Sequence, residues 1–486
     1  MSTDSRAEEF LTVERLRAAA LHALAMVPEA RTPLVVLDRR ALAVQVALWR
    51  ECLPDVEPFY AIKANNHRVV LEELSRLGLG FDAATGGELD LLRPLGLAPE
   101  RLLATHPIRD AADLRAVARD RPAVLVVQDA SELRKLRAAG VPSRDYAPTI
   151  LVRVALPFSN LNKFGVRVLL PDLAPGRTTW SIHERAVLDV IDAAREVERE
   201  VGVRFAGFGL AGHVGTNCHN AEHFRVMLAL FRLLHELCQR AGVQLATFDL
   251  GGGFCDQTTA RAHGTSQSAV LQEIGQATAQ LREHCPGVRL VAEPGRFFVA
   301  DAAAIVATVK SVQSLTWRTD HVGNHVPLKH LEVHIDDGIY GTLMGQAHDD
   351  KVWDVQVLRP ALAAHHPPAS TIPAHIWGAT CDSYDRIHGL RELPSDLGVG
   401  DRLFVPAAGA YSLTTATRFN QAAQPCVWAF GEDPEAPETG TLFDTDGASL
   451  FRTIRPERTH ASAASGVSPK NRVVPPAAPE LGAVER

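Results

Sequence analysis

Positive charge is sparse in this sequence and is not gathered into runs. The 486 residues include 50 lysines and arginines against 57 aspartates and glutamates, which gives a formal net charge of −7. Proteins that bind nucleic acid through its phosphates concentrate lysine and arginine on one surface. The composition therefore argues against a nucleic-acid partner.

Long apolar runs and paired cysteines are also missing. Acidic residues (Asp4, Glu8, Glu9) precede any apolar segment at the N-terminus, which is not the pattern of a signal peptide, and the Ala/Leu run that follows is too short to span a bilayer. The cysteines lack the close spacing of metal sites. They stand at positions 52, 218, 238, 255, 285, 381 and 426. We therefore predict a cytoplasmic protein with free thiols, no membrane partner and no metal.

Lysine itself is rare, and it stands only at positions 63, 135, 163, 310, 329, 351 and 470. Lys63 follows the apolar, β-prone run 59–62 and precedes a helical pattern, which places its amine at the C-terminal end of a strand. Such an amine can lose its proton and form a Schiff base, which arginine cannot do. The alternative is a strand-end lysine that only extends its charge into solvent. Lys63 alone does not decide between the two.

β-Prone runs alternate with helical patterns eight times from residue 59 onward. The predicted strands are 59–62, 79–83, 101–104, 123–127, 149–154, 204–209, 245–250 and 288–293. Eight βα units over roughly 240 residues are close to the ~250 typical of a TIM barrel. A doubly wound open sheet is the competing fold, but eight successive strands without a break favour a closed barrel.

The helical alternation stops beyond about residue 297, and further β-prone runs follow. We predict an α/β fold in which a (β/α)8 TIM barrel is inserted into a C-terminal antiparallel β-sandwich or β-barrel domain. Residues 311–330 are predicted to form a long surface loop. The predicted divisions are an N-terminal helix (1–30), a first strand of the β-domain (31–44), the barrel (45–297), the β-domain (298–454) and a disordered tail (455–486).

The sequence after the seventh and eighth predicted strands indicates an anion site. Gly251-Gly252-Gly253 follows the seventh strand, and Glu293-Pro294-Gly295-Arg296 follows the eighth. In TIM barrels these two loops commonly bind phosphate through backbone N–H groups. Glu293 is either a salt-bridge partner of Arg296 or the carboxylate that binds a protonated pyridine nitrogen, which makes pyridoxal phosphate a strong electron sink.

Other polar residues follow predicted strands at the same end of the barrel. His213 lies between glycines after the sixth strand and can lay its ring against a planar cofactor, and Thr216 can bind phosphate. Asp82 and Glu88 follow the second strand, and Arg153 closes the fifth. Any one of them can be a structural ion-pair residue, but so many at strand C-termini favour a site.

The β-domain sequence contains two further candidates. Cys381 and Asp382 place a thiol beside a carboxylate in a turn, and Tyr411 follows Gly409-Ala410. Residues of these types more often only pack or form turns. A functional role for these residues becomes the better interpretation if the β-domain of one subunit covers the barrel of another.

Together these stretches resemble the pyridoxal-phosphate-dependent decarboxylases of the alanine-racemase-like fold (fold type III), most closely the ornithine decarboxylase branch. The resemblance covers about residues 33–430 in the family order. Its motifs are 59–65, 81–84, 162–166, 212–215, 249–254, 293–296, 337–341, 378–382 and 409–411.

The resemblance implies a role for each matching residue. Lys63 would bind pyridoxal phosphate covalently, His213 would stack on its ring, and Glu293 would bind the pyridine nitrogen. Cys381 of the partner subunit, in a head-to-tail homodimer, would protonate the carbanion that remains after CO2 leaves. Further contacts with the cofactor would come from Asp82, Arg153 and Gly252, and contacts with its phosphate from Thr216, Gly253, Gly295, Arg296 and Tyr411.

The resemblance also indicates a substrate. Asp382, after the thiol, and Asp349 stand where the ornithine branch places two carboxylates for the distal ammonium of a diamino acid, whereas diaminopimelate decarboxylases usually have Glu at the first position. The intervening residues 345–348 are smaller and more polar than is usual in the family. We predict decarboxylation of L-ornithine or lysine to a diamine and CO2, as in polyamine biosynthesis.

Three alternatives stay open. They are a diaminopimelate-type or secondary-metabolite decarboxylase, a racemase, and a catalytically silent regulatory homologue of the antizyme-inhibitor kind. Glu293 argues against the racemase, since racemases of this fold typically have an arginine there. The presence of Lys63, Asp82, Arg153, His213, Cys381 and Tyr411 argues against the silent homologue.

Overall fold

A computed structural model of the chain divides into two compact units. The described residues leave out 1–2, 28–30, 157–163, 172–179, 184, 320–324, 350, 360–369, 433–438 and 453–486. The first unit comprises residues 42–66 and 70–300, and the second comprises the residues before 42, residues 67–69 and the chain from Asp301 onward. The predicted domain boundaries stay predictions, and the tail predicted over 455–486 lies outside the described residues.

The first unit contains a closed barrel of eight parallel strands. The chain begins with α1 (Thr3–Met26), β1 (Leu34–Asp38) and α2 (Arg39–Cys52). It then forms β2 (Val56–Ala61), β3 (Gly80–Asp82), β4 (Leu102–Ala104), β5 (Val124–Val127), β6 (Thr149–Arg153), the separate hairpin strands β7 (Leu169–Pro171) and β8 (Trp180–Ile182), and then β9 (Gly207–Ala211), β10 (Leu245–Asp249) and β11 (Arg289–Ala292). The barrel order is β10-β11-β2-β3-β4-β5-β6-β9, and β9 pairs with β10 to close it. The predicted barrel is confirmed.

Apolar strands explain why this sheet closes. Every residue of β5, with the sequence VLVV, is buried, as expected for a parallel strand covered on both faces. Inward side chains from different strands fill the barrel interior, as in other barrels of this type. This cluster consists of Phe59, Leu103, Val124, Val126, Leu151, Ala211 and Val291.

Helices connect the barrel strands, and polar caps fix where several of them begin. They are α3 (Arg68–Arg76), α4 (Gly86–Leu92), α5 (Ala111–Asp120), α6 (Ala130–Ala138), α7 (Arg185–Val201), α8 (Glu222–Arg240), α9 (Gln257–Ala262), α10 (Gln267–His284) and α11 (Arg296–Val299). Asp110 and Asp113 form a reciprocal capping box at the start of α5. Sequence patterns missed the β7–β8 hairpin, α9 and α11, because elements of three to six residues are too short to show a period.

The second unit is built on one large sheet. After α11 the chain forms β12 (Ala303–Thr319), β13 (His325–Ile335), the short helix α12 (Gly345–Asp349), β14 (Gln356–Leu358), β15 (Thr371–Trp377), β16 (Arg386–Pro394), β17 (Arg402–Val405), β18 (Cys426–Phe430), β19 (Gly440–Phe443) and β20 (Ser449–Arg452). Its main path is β16-β15-β13-β12-β1-β18-β19-β20, with β17 pairing both β12 and β14. The sheet is mixed rather than wholly antiparallel, because β1 runs parallel to β18 and β13 runs parallel to β15.

One face of this sheet is covered by the N-terminal helix. Leu16, Ala19, Ala20 and Ala23 of α1 are at most 1% exposed and share a core cluster with Trp428 and other sheet residues. The spacing of these four positions is that of one helical face. Within the described part of the chain, every helix is too short or too polar to cross a lipid bilayer.

The prediction of a loop over 311–330 is wrong. Most of that segment belongs to β12 and β13, which pair antiparallel from Val309–Ile335 to Thr319–His325. Trp317 and Pro327, which indicated a loop, face each other in this ladder. Pairing between β12 and β13 therefore outweighs the local turn signals. Residues 320–324 of the predicted loop lie outside the described residues.

Candidate active site

Lys63 lies in a tight turn directly after β2. The strand ends at Ala61, one residue earlier than predicted, and residues Ile62–Ala64 form a single 3₁₀ turn that contains Lys63. Ile62 and Ala64 are buried, whereas the Lys63 side chain is exposed. The two buried neighbours fix the turn at the C-terminal end of the barrel, and the Lys63 charge acts on the buried Asp82 and Glu293.

The loop after β11 packs against this turn. The Ala61 N–H donates to the Pro294 carbonyl oxygen at 3.2 Å. A Cβ at Gly295 would lie only 2.9 Å from the Ala64 Cβ, so the close approach requires glycine. Lys63 and the loop that begins with Glu293 are therefore neighbours in space, although 230 residues separate them in sequence.

Three buried acids lie in the same region of the barrel. Asp82, Asp249 and Glu293 are 1%, 0% and 3% exposed. Burial, and then the charge of Glu293, raises the pKa of Asp82 to about 7, and burial raises the pKa of Asp249 to about 6. Burial and the neighbouring Asp249 raise the pKa of Glu293 well above its usual range, while the Lys63 ammonium acts in the opposite direction.

Hydrogen bonds from the described residues satisfy only some of the oxygens of these acids. Asp82 Oδ1 accepts from the Thr105 hydroxyl at 2.6 Å, and Asp249 Oδ1 accepts from the Gly251 N–H at 2.8 Å. No N–H or O–H among the described residues donates to the second oxygen of either aspartate or to Glu293 Oε1. Asp249 and Glu293 can hydrogen-bond each other only through a shared proton. A ligand that brings one N–H, as a protonated pyridine ring does, fits this cluster.

His213 lies against the glycine turn after β10. Its Nδ1 accepts from the Gly215 N–H at 3.1 Å, and burial, followed by the charges of Arg153 and Lys63, holds its pKa well below the usual range. The ring is therefore neutral, with its proton on Nε2. A Cβ at Gly252 would lie 3.2 Å from His213 Nε2, so a side chain there would displace the ring.

The glycine turn itself depends on backbone conformations that favour glycine. Gly251 and Gly253 have φ of +66° and +99°, and a Cβ at Gly251 would lie 2.3 Å from the Gly212 carbonyl oxygen. The Gly253 carbonyl accepts from the Cys218 N–H at 2.8 Å, which joins this turn to the segment that contains Thr216. Thr216 is exposed.

The two predicted arginines have different surroundings. Arg153 ends β6 and donates from Nη1 to the Gly212 carbonyl at 3.2 Å, while its charge lowers the pKa values of His213, Asp82 and Glu293. Arg296 is buried, with its Nη1 3.9 Å from Asp256 Oδ2. The sequence suggested Glu293 as an ion-pair partner of Arg296, and the structure places Asp256 beside this arginine.

The second unit contains the predicted thiol and carboxylate in one turn. Cys381 is exposed, and the Asn420 side-chain amide donates to its Sγ at 3.1 Å. Asp382 accepts from the Tyr384 N–H at 2.9 Å and the Tyr340 hydroxyl at 2.7 Å, and these bonds lower the pKa of Asp382. The carboxylate is therefore ionised and held in place, with lone pairs left for a cation.

Tyr411 and Asp349 are the two other predicted residues of this unit. Tyr411 is half-buried and has φ of +54°, which is uncommon for a residue with a Cβ and indicates a constrained turn. Asp349 ends α12, and its side chain lies outside the described residues. Its predicted role stays a prediction.

The segment of the chain that contains the barrel matches a known protein family. The family model for the pyridoxal-binding domain of pyridoxal-dependent decarboxylases matches residues 39–300. That range is more than half of the chain and includes the Lys63 turn, the buried acids and the glycine turn. The chain belongs to the pyridoxal-dependent decarboxylase family.

Relatives of this decarboxylase cover most of its length. Antizyme inhibitor 2 of Xenopus laevis is 28% identical over 378 residues, 76% of this chain and 75% of that protein. Ornithine decarboxylase of Neurospora crassa is 28% identical over 392 residues, again 76% and 75%. The structure of a lysine/ornithine decarboxylase from Vibrio vulnificus complexed with putrescine is 28% identical, has a TM-score of 0.68 and is matched over 86% of this chain and 98% of that one.

Sequence reasoning missed two buried polar residues, one in each unit, that tie backbone segments together. Arg109 is 4% exposed and donates to the carbonyls of Val126 at 2.9 Å and Ala104 at 2.7 Å, so it ties the ends of β5 and β4 together. Asp385 is 1% exposed and accepts from the backbone N–H groups of Ile339 and Thr380, both at 2.9 Å, beneath the Cys381 turn. Only the position of Arg109 after the third predicted strand could have indicated it.

Proposed function

We propose that this chain removes the α-carboxylate of L-ornithine or lysine and releases the diamine and CO2. Its cofactor is pyridoxal phosphate, which supplies an electron sink when bound. The observation that carries the proposal is the buried Glu293, whose Oε1 accepts no hydrogen bond from the described part of the chain and whose pKa responds to the charge of Lys63. An acid so placed suits the N–H of a pyridine ring, and an amine at the barrel rim suits its aldehyde.

Each barrel residue has a separate task in this proposal. Lys63 binds the cofactor, Glu293 holds the proton of the ring nitrogen, and Asp82 and Arg153 set the charge around them. His213 is neutral and lies against Gly252, so it can contact a ring without adding charge. Thr216, the glycine turns and Arg296 are proposed to bind phosphate, as is Tyr411.

The proposal assigns the final proton transfer and substrate recognition to the turn at 378–384. The partner's Cys381 protonates the carbon that has lost CO2, and Asp382 receives the distal ammonium of the substrate together with Asp349. Hydrogen bonds from Tyr340 and Tyr384 hold Asp382, so its carboxylate is already oriented before the ammonium of the substrate binds. We also propose a head-to-tail homodimer, and the cytoplasmic location stays a prediction.

Asp382→Asn should raise the KM for L-ornithine by about 10- to 100-fold, because a charge-assisted hydrogen bond worth about 1.5–3 kcal/mol is lost. Steady-state CO2 release measures this change. Asp396→Asn is a matched control, since Asp396 is an exposed carboxylate of the same unit that pairs with Arg359. An unchanged KM in Asp382→Asn, or an equal rise in the control, would remove Asp382 from the substrate site.

Mixing two inactive variants tests the shared sites. Lys63→Ala and Cys381→Ala chains, co-expressed in equal amounts, should recover about one quarter of wild-type diamine formation, because half of the dimers are mixed and one of their two sites is complete. The control is the same pair of substitutions in a single chain mixed with itself. If the mixture is no more active than the separate variants, the two residues do not meet across a dimer.

A further inference from the structure

Two histidines and a carboxylate meet on strands β13 and β15 of the second unit. His330 and Glu332 lie on β13, and His375 lies on β15. The parallel register pairs Glu332 directly with His375. One ligand atom from each of the three side chains lies within 4.8 Å of the others. None of the three belongs to the proposed decarboxylase site.

Both nitrogens of the His330 ring face oxygen atoms. Nδ1 lies 3.0 Å from the Leu328 carbonyl oxygen, which can only accept, so Nδ1 carries a proton. Nε2 lies 2.8 Å from Glu332 Oε1. A neutral ring would set the Nε2 lone pair against a carboxylate. The arrangement therefore requires a positive species between these atoms, either a second proton or a metal cation.

The surroundings of the cluster favour a metal over a proton. The second oxygen of Glu332 accepts from the Trp377 indole N–H, so both ends of the carboxylate are fixed. A backbone carbonyl fixes the tautomer of His330 in the way typical of metal-bound histidines. His375, whose ring centroid is 5.6 Å from that of His330, brings a further imidazole that a simple His–Glu ion pair does not need.

The distances suit a small divalent ion. Zn²⁺ binds imidazole nitrogen and carboxylate oxygen at about 2.0–2.2 Å, so tetrahedral ligand atoms lie about 3.3 Å apart. His330 Nε2 and Glu332 Oε1 are 2.8 Å apart, which is closer than two ligands of one Zn²⁺ ion. The other ligand atoms are separated by up to 4.8 Å, which is somewhat farther than two such ligands. Small rotations of the side chains on two adjacent strands therefore suffice to form the site.

We propose that His330, Glu332 and His375 bind a divalent transition-metal ion of the Zn²⁺ class, with a water molecule as fourth ligand. Two imidazoles and one carboxylate are the donor set that such ions prefer over Mg²⁺ or Ca²⁺. Because the ligands come from neighbouring strands, the ion would bind β13 to β15 beyond their backbone hydrogen bonds. The proposal does not depend on the decarboxylase activity.

The test measures Zn²⁺ affinity of the full-length protein loaded with pyridoxal phosphate. Zinc chloride is titrated in competition with a chromophoric chelator. Glu332→Gln and His375→Gln should each weaken one Zn²⁺ site at least tenfold, and Trp377→Phe, which only positions Glu332, should weaken it less. His334→Gln is the matched control, because His334 is exposed on the same strand and stacks on Trp377 without reaching the cluster.

Equal affinities in wild type, Glu332→Gln and His375→Gln would overturn the proposal, as would an equal loss in His334→Gln. A measurement on the unaltered protein covers the case in which a variant does not fold. Crystals of the wild type soaked in zinc chloride should show an anomalous peak at the zinc edge between His330, Glu332 and His375. Zinc peaks elsewhere and none there would refute the site.

Discussion

Replacing Lys63 with alanine should reduce CO2 release from L-ornithine to the background rate. The variant loses the amine that binds the cofactor, and no other lysine can supply it from the turn 62–64. The visible absorption of covalently bound cofactor should disappear with the activity. The turn should persist, because Ile62 and Ala64 provide its buried contacts.

Lys310→Ala is the matched control for this experiment. Lys310 is an exposed lysine of β12 in the second unit, so its loss should leave both absorption and turnover unchanged. Turnover that survives in Lys63→Ala but fails in Lys310→Ala would place the cofactor amine elsewhere in the chain.

Glu293→Gln should lower kcat/KM by about 10²-fold or more, the scale seen when one preorganised electrostatic partner is removed from an active site. Glutamine fills the same space but cannot carry the negative charge that stabilises a protonated ring nitrogen. The cofactor should still bind through Lys63, so its absorption should remain. The measurement is steady-state CO2 release beside a visible spectrum of the same sample.

Glu57→Gln separates this electrostatic effect from a general loss of charge. Glu57 is an exposed residue of β2 that pairs with Arg289 at 2.5 Å, and an exposed ion pair of this kind contributes little to stability. Its substitution should leave kcat/KM within about twofold of wild type. If Glu293→Gln retains wild-type turnover, the buried acid does not serve the ring nitrogen.

The antizyme inhibitor among the relatives makes the silent regulatory homologue a specific alternative. A protein without activity has no need of a lysine at the barrel rim beside a buried acid, yet this chain has Lys63 and a Glu293 oxygen to which none of the described residues donates. A racemase is disfavoured by Glu293, because a carboxylate keeps the ring nitrogen protonated and withdraws electrons fully.

Local patterns were sufficient to predict the barrel and to select candidate site residues at the ends of its strands. Apolar runs of four to six residues identified all eight strands, because parallel barrel strands are buried on both faces. Lys63 stood out because lysine is rare in this chain, and Glu293 because glycine and arginine follow it. These signals all lie within a few residues in sequence.

Features that depend on distant pairs could not be predicted. Burial and the charge of Asp249 on the adjacent strand raise the pKa of Glu293, and no local pattern in the sequence indicates this. The strand character of 311–319 arises from its ladder with β13, and Arg109 is fixed by carbonyls of two different strands. In each case the deciding contact joins residues that only the folded chain brings together.

The most direct test of the central claim is the release of CO2 by the purified protein supplied with pyridoxal phosphate. Ornithine, lysine, arginine, diaminobutyrate and diaminopimelate are compared, each in both enantiomers. We expect CO2 and diamine in equal amounts from L-ornithine or L-lysine, and loss of both in Lys63→Ala. Bound cofactor without CO2 release from any of these amino acids would contradict the account.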